Sequence, residues 1–303
     1  PAMNIPNPEI FLRGLFDTAV AAADPSHTLS SSLPPPPTGR TLVLSVGKAA
    51  AAMARAAEAH WHEHLSGLAV TPYGHGLECD RIEIIEAGHP LPDEIGRETT
   101  ERFLSLAKNL TADDLLLFLI SGGASSLLVK PADGLNLVDK QMITRDLLKS
   151  GAPINEINCV RKHLSAVKGG RLAEAAFPAR IATLAISDVP GDDHAVIGSG
   201  PTVGDPTTCM DALTISDRRE INLPPLARTA LTEGKWETVK PDDPALAKTT
   251  FELIARPLDS QEAAARAAAE AGLCSTLLGD HLEGESRDLA LTHARIALAA
   301  APG

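Results

Sequence analysis

Short apolar runs alternate with helix-length amphipathic segments along most of this 303-residue chain. Strand-like runs fall at 41–46, 67–74, 81–88, 115–120, 180–187, 249–255 and 274–279. The segments between several of them, such as 48–65 and 92–109, have the length and spacing of helices. Strands that alternate with helices of ten or more residues predict a parallel sheet covered by helices on both faces. The predicted fold class is therefore α/β, with a Rossmann-like α/β/α sandwich followed by a second, incomplete α/β domain.

Proline-rich stretches predict where the chain connects its parts. Pro34–Pro37 cannot lie in a helix or a central strand and predict a surface connection. The stretch 224–245 is also punctuated by proline, and we interpret it as a passage between domains. We expect an N-terminal domain at 1–240 and the start of a second domain at 241–303. Two strand–helix units leave one face of a parallel sheet unburied, so we expect this second domain to be incomplete.

The charge balance excludes several classes of partner. The chain has 27 basic and 39 acidic residues and a net charge of -12, which argues against nucleic acid and anionic membranes as partners. No apolar run reaches the roughly 20 residues that span a bilayer, and no signal peptide is visible. The four cysteines are scattered without a paired motif, which is typical of reduced thiols in a cytoplasmic protein.

Three predicted strands end in loops rich in glycine, serine or charged residues, at 45–48, 121–126 and 187–193. Ligands of open parallel sheets bind beyond the carboxyl ends of the strands, where glycine lets an anion approach backbone N–H groups. The predicted phosphate-binding residues in these loops are Gly47, Ser121, Gly122, Gly123 and Ser125. The loops match neither the P-loop nor the dinucleotide fingerprint.

Charged residues in the same loops suggest roles in catalysis. Lys48 follows a strand and a glycine and begins a helix, so it can hold a negative ligand as a point charge. Asp188, Asp192 and Asp193 offer hard oxygen ligands suited to Mg²⁺. Alternatively, one of these aspartates acts as a general base.

A basic cluster spans residues 161–171, a stretch that contains no acidic residue. Its members are Arg161, Lys162, His163, Lys168 and Arg171. Such a local reversal of charge in an acidic protein predicts an anionic ligand. His89 lies in a proline-rich loop near a strand end, where it either contacts substrate or satisfies the turn.

Six segments, taken in order, resemble one family. They are LSVGKAAAAMARAAE, EAGHPLPDEIG, LISGGASSLL, NCVRKHLSAVKGGRLAEAA, AISDVPGDDHAVIGSGPTVGDPTT and HLEGESRDLALTHA. Together they resemble the glycerate 2-kinases, the type II glycerate kinases whose C-terminal part is called the MOFRL domain. Members of this family often carry the name hydroxypyruvate reductase.

The resemblance implies ATP-dependent, Mg²⁺-assisted phosphorylation of D-glycerate at its 2-hydroxyl, in a cleft between two α/β domains. It implies catalytic roles for Lys48, Asp188 and Asp192, and metal binding by Asp188, Asp192 and Asp193. Arg161 or Lys168 would bind the glycerate carboxylate. Family members continue into a glycine-rich loop and an arginine-bearing segment that this sequence does not contain, and we expect the chain to be inactive if those groups hold the nucleotide.

Two other functions remain open at this stage. The first is NAD(P)H-dependent reduction of hydroxypyruvate, which the missing dinucleotide fingerprint disfavours. The second is a non-catalytic sensor of small phosphorylated acids. A homodimer is also possible.

Overall fold

A six-stranded parallel sheet forms the centre of the protein in the computed structural model, which describes residues 7–61, 64–280, 282 and 284–300. Its strands are β1 (Thr41–Val46), β2 (Leu65–Pro72), β3 (Ile82–Ala87), β4 (Leu115–Ile120), β5 (Arg180–Ile186) and β6 (Thr249–Ala255). Neighbouring strands pair in parallel in the order β3-β2-β1-β4-β5-β6. The predicted α/β class is confirmed.

Twelve α-helices are described around the sheet. They are α1 (Pro8–Ala22), α2 (Pro25–Thr28), α3 (Ala50–His60), α4 (Glu94–Lys108), α5 (Ala124–Leu127), α6 (Leu137–Lys149), α7 (Ile154–His163), α8 (Arg171–Ala176), α9 (Cys209–Arg218), α10 (Pro225–Thr232), α11 (Pro257–Glu270) and α12 (Ser286–Ala300). Capping side chains set several helix starts: Asn7, Asp93 and Asn136 each accept a hydrogen bond from the first turn that follows.

Both faces of the sheet are buried, which explains why its central strands are continuous apolar runs rather than alternating ones. Leu44 and Phe118 belong to the core on one face, together with residues of α4 and α8. Val43 and Leu117 belong to the core on the other face, together with residues of α3.

The strand order brings three loops to one edge of the sheet. The chain moves outward from β1 through β2 to β3, and then returns to β4 on the other side of β1. Val46, the last residue of β1, is paired with Ile120, the last residue of β4. The loops that follow β1, β4 and β5 are therefore neighbours, at the point where the strand order reverses and where such sheets bind ligands.

The structure differs from the sequence prediction in the region after residue 220. β6, which we placed in a second domain, pairs with β5 and completes the first sheet. The stretch 224–245, predicted as a passage between domains, contains α10, which joins α6, α7 and α9 in a third apolar core. A strand–helix pattern does not reveal whether the next strand extends an existing sheet. For this reason the sequence analysis separated β6 from the first sheet. Residues 273–280, predicted as a strand in part, are described without regular secondary structure. The division at residue 240 stays a prediction.

We predict that β6 is required for the stability of the sheet. A chain that ends at residue 240 loses Phe251 and Leu253, which pack against the core that contains Leu44 and Phe118, and it exposes the edge of β5. It should precipitate or lose its cooperative urea transition, whereas a chain that ends at residue 272 keeps one. Equal transition midpoints for the two chains would show that residues 1–240 fold independently.

Candidate active site

The loops after β1 and β4 are joined by backbone hydrogen bonds. The Lys48 N–H donates to the Gly122 carbonyl oxygen at 2.8 Å, and the Ala49 N–H donates to the Ser121 Oγ at 3.0 Å. Gly47 has a φ of +125°, and a Cβ at this position would lie 2.3 Å from the Ser121 Oγ. Only glycine therefore allows the two loops to approach this closely.

These contacts decide which backbone donors are free. The amides of residues 47–50 all donate within the protein, to acceptors in β2, in the loop after β4 or in their own turn. By contrast, the Gly122 and Gly123 N–H groups have no acceptor among the described residues. The loop after β4 therefore offers two amide donors to an anion, whereas residues 47–50 of the turn after β1 offer none.

Lys48 and His89 both lie against Gly123. A Cβ on Gly123 would lie 3.3 Å from the Lys48 Cγ and 2.8 Å from the His89 Nε2. The Lys48 side chain is exposed and forms no ion pair with a described residue. Burial and the Lys48 ammonium lower the pKa of His89, so its imidazole is neutral at pH 7. The sequence analysis left the role of His89 open between substrate contact and the turn. The feature that pointed to the site was the position of His89 in the loop after β3.

Asp188 and Asp192 lie in the loop after β5 but in different surroundings. A Cβ on Gly122 would lie only 2.0 Å from the Asp188 Oδ2, so this exposed carboxylate lies against the backbone of the second loop. Asp192 has a φ of +54°, and its Oδ1 is buried without a hydrogen-bond partner among the described residues. An orphaned carboxylate oxygen of this kind is suited to a cation.

Asp193 has a local structural role. Its Oδ1 accepts the Ala195 N–H at 2.9 Å, an arrangement typical of an Asx turn. Asp188, Asp192 and Asp193 also do not bring their ligand atoms together, since the described residues contain one compact group of three metal-type side chains, formed by His163, Cys209 and Glu237. Mg²⁺ needs only one or two carboxylates when phosphates and water complete its octahedron, so Asp188 and Asp192 fit it without Asp193.

Lys168 is enclosed by protein, contrary to the expectation that it contacts substrate. Its side chain has no exposed surface, and its Nζ donates to the Ser125 carbonyl oxygen at 3.0 Å, the Ser125 Oγ at 3.2 Å and the Gly198 carbonyl oxygen at 3.2 Å. The Lys168 side chain thus connects the loop after β4 to the turn at 197–199 through hydrogen bonds. Burial, with Arg161 and Lys140 nearby, holds its pKa well below the ordinary lysine value.

Arg161 lines a cavity of about 360 Å³ beside the loop after β4. The Arg161 Nη2 donates to the Ser125 Oγ, whereas its Nε is buried without a partner among the described residues. The cavity is lined by Pro90, Leu91, Pro92, Ser125, Ser126, Val129, Lys140, Gln141, Thr144, Arg145, Leu148 and Arg161. Sequence reasoning missed Lys140 and Arg145, because α6 intersperses acids and bases and so has the pattern of a solvated face.

The cations of this region lack acidic partners. Lys140 is 6% exposed, and burial together with Arg161 and Arg171 lowers its pKa to about 7. Burial also lowers the pKa of Arg161. The ion pairs between described residues join neither Lys140, Arg161 nor Lys168 to a carboxylate. The cavity lining therefore contains three basic side chains, Lys140, Arg145 and Arg161, and no acidic one.

The sequence matches one protein family over most of its length. Residues 11–232 match the family described as Domain of unknown function (DUF4147). The chain is 51% identical to an Agrobacterium vitis protein provisionally named hydroxypyruvate reductase, over 95% of this chain and 65% of that protein. It is 40% identical to the D-glycerate 2-kinase of Thermotoga maritima, over 89% of this chain and 64% of that enzyme.

Solved structures give the same result. A crystal structure of the Thermotoga maritima glycerate kinase matches with a TM-score of 0.80 and 39% identity, over 88% of this chain and 64% of that one. A Pyrococcus horikoshii protein matches with a TM-score of 0.81 and 38% identity, over 98% of this chain and 70% of that one. The chain thus spans about two thirds of the length of these relatives. The family resemblance inferred from the motifs is confirmed.

We predict that removing the Lys140 charge stabilises the protein at neutral and acidic pH. The pKa of Lys140 is about 7 when folded and near its usual 10.5 when unfolded, so the buried ammonium is disfavoured below pH 7. Lys140→Met should raise the free energy of unfolding by on the order of 2–5 kcal/mol at pH 6, since each pKa unit corresponds to about 1.4 kcal/mol. The gain should disappear as the pH approaches 10.

Urea unfolding at pH 6, 8 and 10 measures this effect. Lys149→Met, an exposed position in the last turn of the same helix, serves as the matched control and should change stability little at any pH. A destabilised Lys140→Met variant at pH 6 would contradict the prediction.

Proposed function

This chain belongs to the DUF4147 family, which includes relatives named glycerate 2-kinase, and we propose that it catalyses ATP-dependent phosphorylation of D-glycerate at the 2-hydroxyl, giving 2-phosphoglycerate and ADP. The observation that carries the proposal is the meeting of Lys48, the free amides of Gly122 and Gly123, and Asp188 at the carboxyl edge of the sheet. Phosphoryl transfer depends mainly on in-line positioning and on neutralising the charge of the moving group. These residues supply a cation, amide donors and a carboxylate for that purpose.

Each residue has a distinct role in the proposed reaction. Lys48 neutralises charge on the transferring phosphoryl group, and the Gly122 and Gly123 amides donate to its oxygens. Asp188 accepts the proton of the 2-hydroxyl as that oxygen attacks the γ-phosphorus, and the bond to the ADP oxygen breaks. Asp192, with its orphaned Oδ1, would hold Mg²⁺, which supplies further charge neutralisation on the phosphates when bound.

Two observations, on the helices and on the cysteines, bear on where the protein is located in the cell. No described helix has both the length and the apolar content needed to cross a membrane. The four cysteines are free, and burial raises the pKa of Cys159 and Cys209 to about 11, so both are protonated thiols. We place the enzyme in the cytoplasm, and a homodimer stays a prediction.

The reductase function is the main alternative, because the name occurs among the relatives. It requires a nicotinamide cofactor, and dinucleotides bind with their pyrophosphate against free amides after the first strand. In this protein the amides of residues 47–50, which form the turn after β1, already donate within the fold. This arrangement favours the kinase over the reductase.

The deciding experiment measures two reactions side by side. Formation of ADP and 2-phosphoglycerate that depends on D-glycerate, ATP and Mg²⁺ supports the proposal. Oxidation of NAD(P)H by hydroxypyruvate without ADP formation overturns it. Binding of small phosphorylated acids without any turnover would indicate a sensor. Because the relatives are longer than this chain, binding of ATP and D-glycerate by calorimetry accompanies each assay.

We predict that Lys48→Ala lowers kcat for ADP formation by about 100-fold or more, the effect typical of losing one preorganised electrostatic group. Lys48→Arg should recover only part of the rate, because a guanidinium differs from an ammonium in shape. Lys108→Ala removes an exposed lysine at the end of α4 and should leave the rate unchanged. An unaltered kcat in Lys48→Ala would remove Lys48 from the mechanism.

Gly122→Ala tests the contact between the loop after β4 and the loop after β5. The added methyl would overlap the Asp188 carboxylate and displace it, so kcat should fall at least tenfold while the unfolding transition changes little. Gly14→Ala is the control, since a Cβ there meets no atom within 4 Å and Gly14 lies in α1. Normal turnover by Gly122→Ala would show that the position of Asp188 is not critical.

A further inference from the structure

The cavity beside the loop after β4 combines buried positive charge with an incomplete set of partners. Lys140 and Lys168 are buried and Arg161 is half-buried, none of them with an acidic partner among the described residues, and the buried Arg161 Nε has no acceptor there. Removing a cation from water is costly unless an anion or hydrogen bonds compensate it. Protein oxygens compensate Lys168 with three hydrogen bonds, whereas Lys140, which lines the cavity, has among the described residues one long hydrogen bond, to the Leu164 carbonyl oxygen at 3.4 Å. A bound anion would complete this arrangement.

The shape and lining of the cavity define what kind of anion fits. Its volume of about 360 Å³ suits a small molecule. Lys140, Arg145 and Arg161 provide the charge, while Ser125 and Ser126 add hydroxyl groups. Pro90, Leu91 and Val129 form an apolar part of the wall. The lining favours a short organic acid over a ligand that is polar on every side.

The cavity is connected to the proposed reaction centre by the loop itself. Ser125 lies two residues after Gly123, against which Lys48 and His89 both lie. In a 2-hydroxy acid the hydroxyl-bearing carbon is bonded directly to the carboxylate carbon. A carboxylate bound by Arg161 and Ser125 therefore leaves the 2-hydroxyl next to the loop that carries the free amides.

We propose that this cavity is the carboxylate subsite of the hydroxy acid, and that Lys140 and Arg145, together with Arg161, select an acid over an uncharged polyol. The proposal rests on the proposed function for the identity of the ligand. Arg161 and Lys140 bind the carboxylate from the cavity wall, and Arg145 attracts the acid at its exposed position. Lys168 is a positioning residue that acts through Ser125.

The test measures binding of D-glycerate by calorimetry to the chain without nucleotide at pH 6.5, and binding of ATP with Mg²⁺ separately. Lys140→Met and Arg145→Met should each weaken D-glycerate binding by about 10- to 100-fold, the effect of losing one charged partner. Affinity for ATP should not change. Lys149→Met, on the same helix but outside the cavity lining, should bind both ligands like the parent chain.

Selectivity gives the second readout. The parent chain should bind D-glycerate at least tenfold more tightly than its uncharged amide, and this preference should shrink in both variants. The subsite is overturned if the parent chain does not bind D-glycerate, or if both variants retain its affinity and selectivity. Weakened binding in the variants, in a chain that forms no ADP, would support the subsite and contradict the kinase function. ADP formation with an unchanged KM for D-glycerate in the variants would support the kinase function and contradict the subsite.

Discussion

The close contact between the loops after β1 and β4 is the constraint on which the site depends. The sheet order places the two strands side by side, and the Lys48 N–H bond to the Gly122 carbonyl then fixes one loop to the other. A side chain at position 47 would separate them, because its Cβ would overlap the Ser121 hydroxyl. With the loops joined, Lys48 and Asp188 both lie against the same pair of glycines. The site is thus a product of backbone packing before any side chain takes part.

Buried charge around Ser125 shows a conflict between folding and function. Lys140, Arg161 and Lys168 all have lowered pKa values, caused first by burial and unrelieved by a carboxylate. A hydrophobic side chain at position 140 would pack there at less cost. Proteins often retain such unfavourable charge where a ligand needs it. Two residues of the basic stretch 161–171 act on the same serine. Lys168 orders the loop after β4 through its hydrogen bonds to Ser125, and Arg161 donates to Ser125 and lines the cavity.

The sequence predicted the sheet well because its central strands are buried on both faces and appear as continuous apolar runs. β6 was assigned to another domain because pairing between distant strands leaves no local pattern. The meeting of Lys48, Gly122 and Asp188 followed from their positions after parallel strands. The separate surroundings of Asp192 and Asp193 did not, since they depend on a positive φ and on one Asx turn. Lys140 was missed because neighbouring acids in α6 conceal a face that tertiary packing buries.

The strand order of this sheet is the one found in dinucleotide-binding proteins. The hydrogen bonding of the backbone amides in the turn after the first strand is different. In such proteins the turn after the first strand presents amides to a pyrophosphate. Here the Lys48 and Ala49 amides donate to the loop after β4, whereas the Gly122 and Gly123 amides, one strand further along the sheet, have no acceptor among the described residues. The amides that we propose for the anion thus follow β4, and Lys48 stands in the turn after β1. Strand order alone therefore does not define the ligand, because hydrogen bonds within the fold determine which backbone donors remain for it.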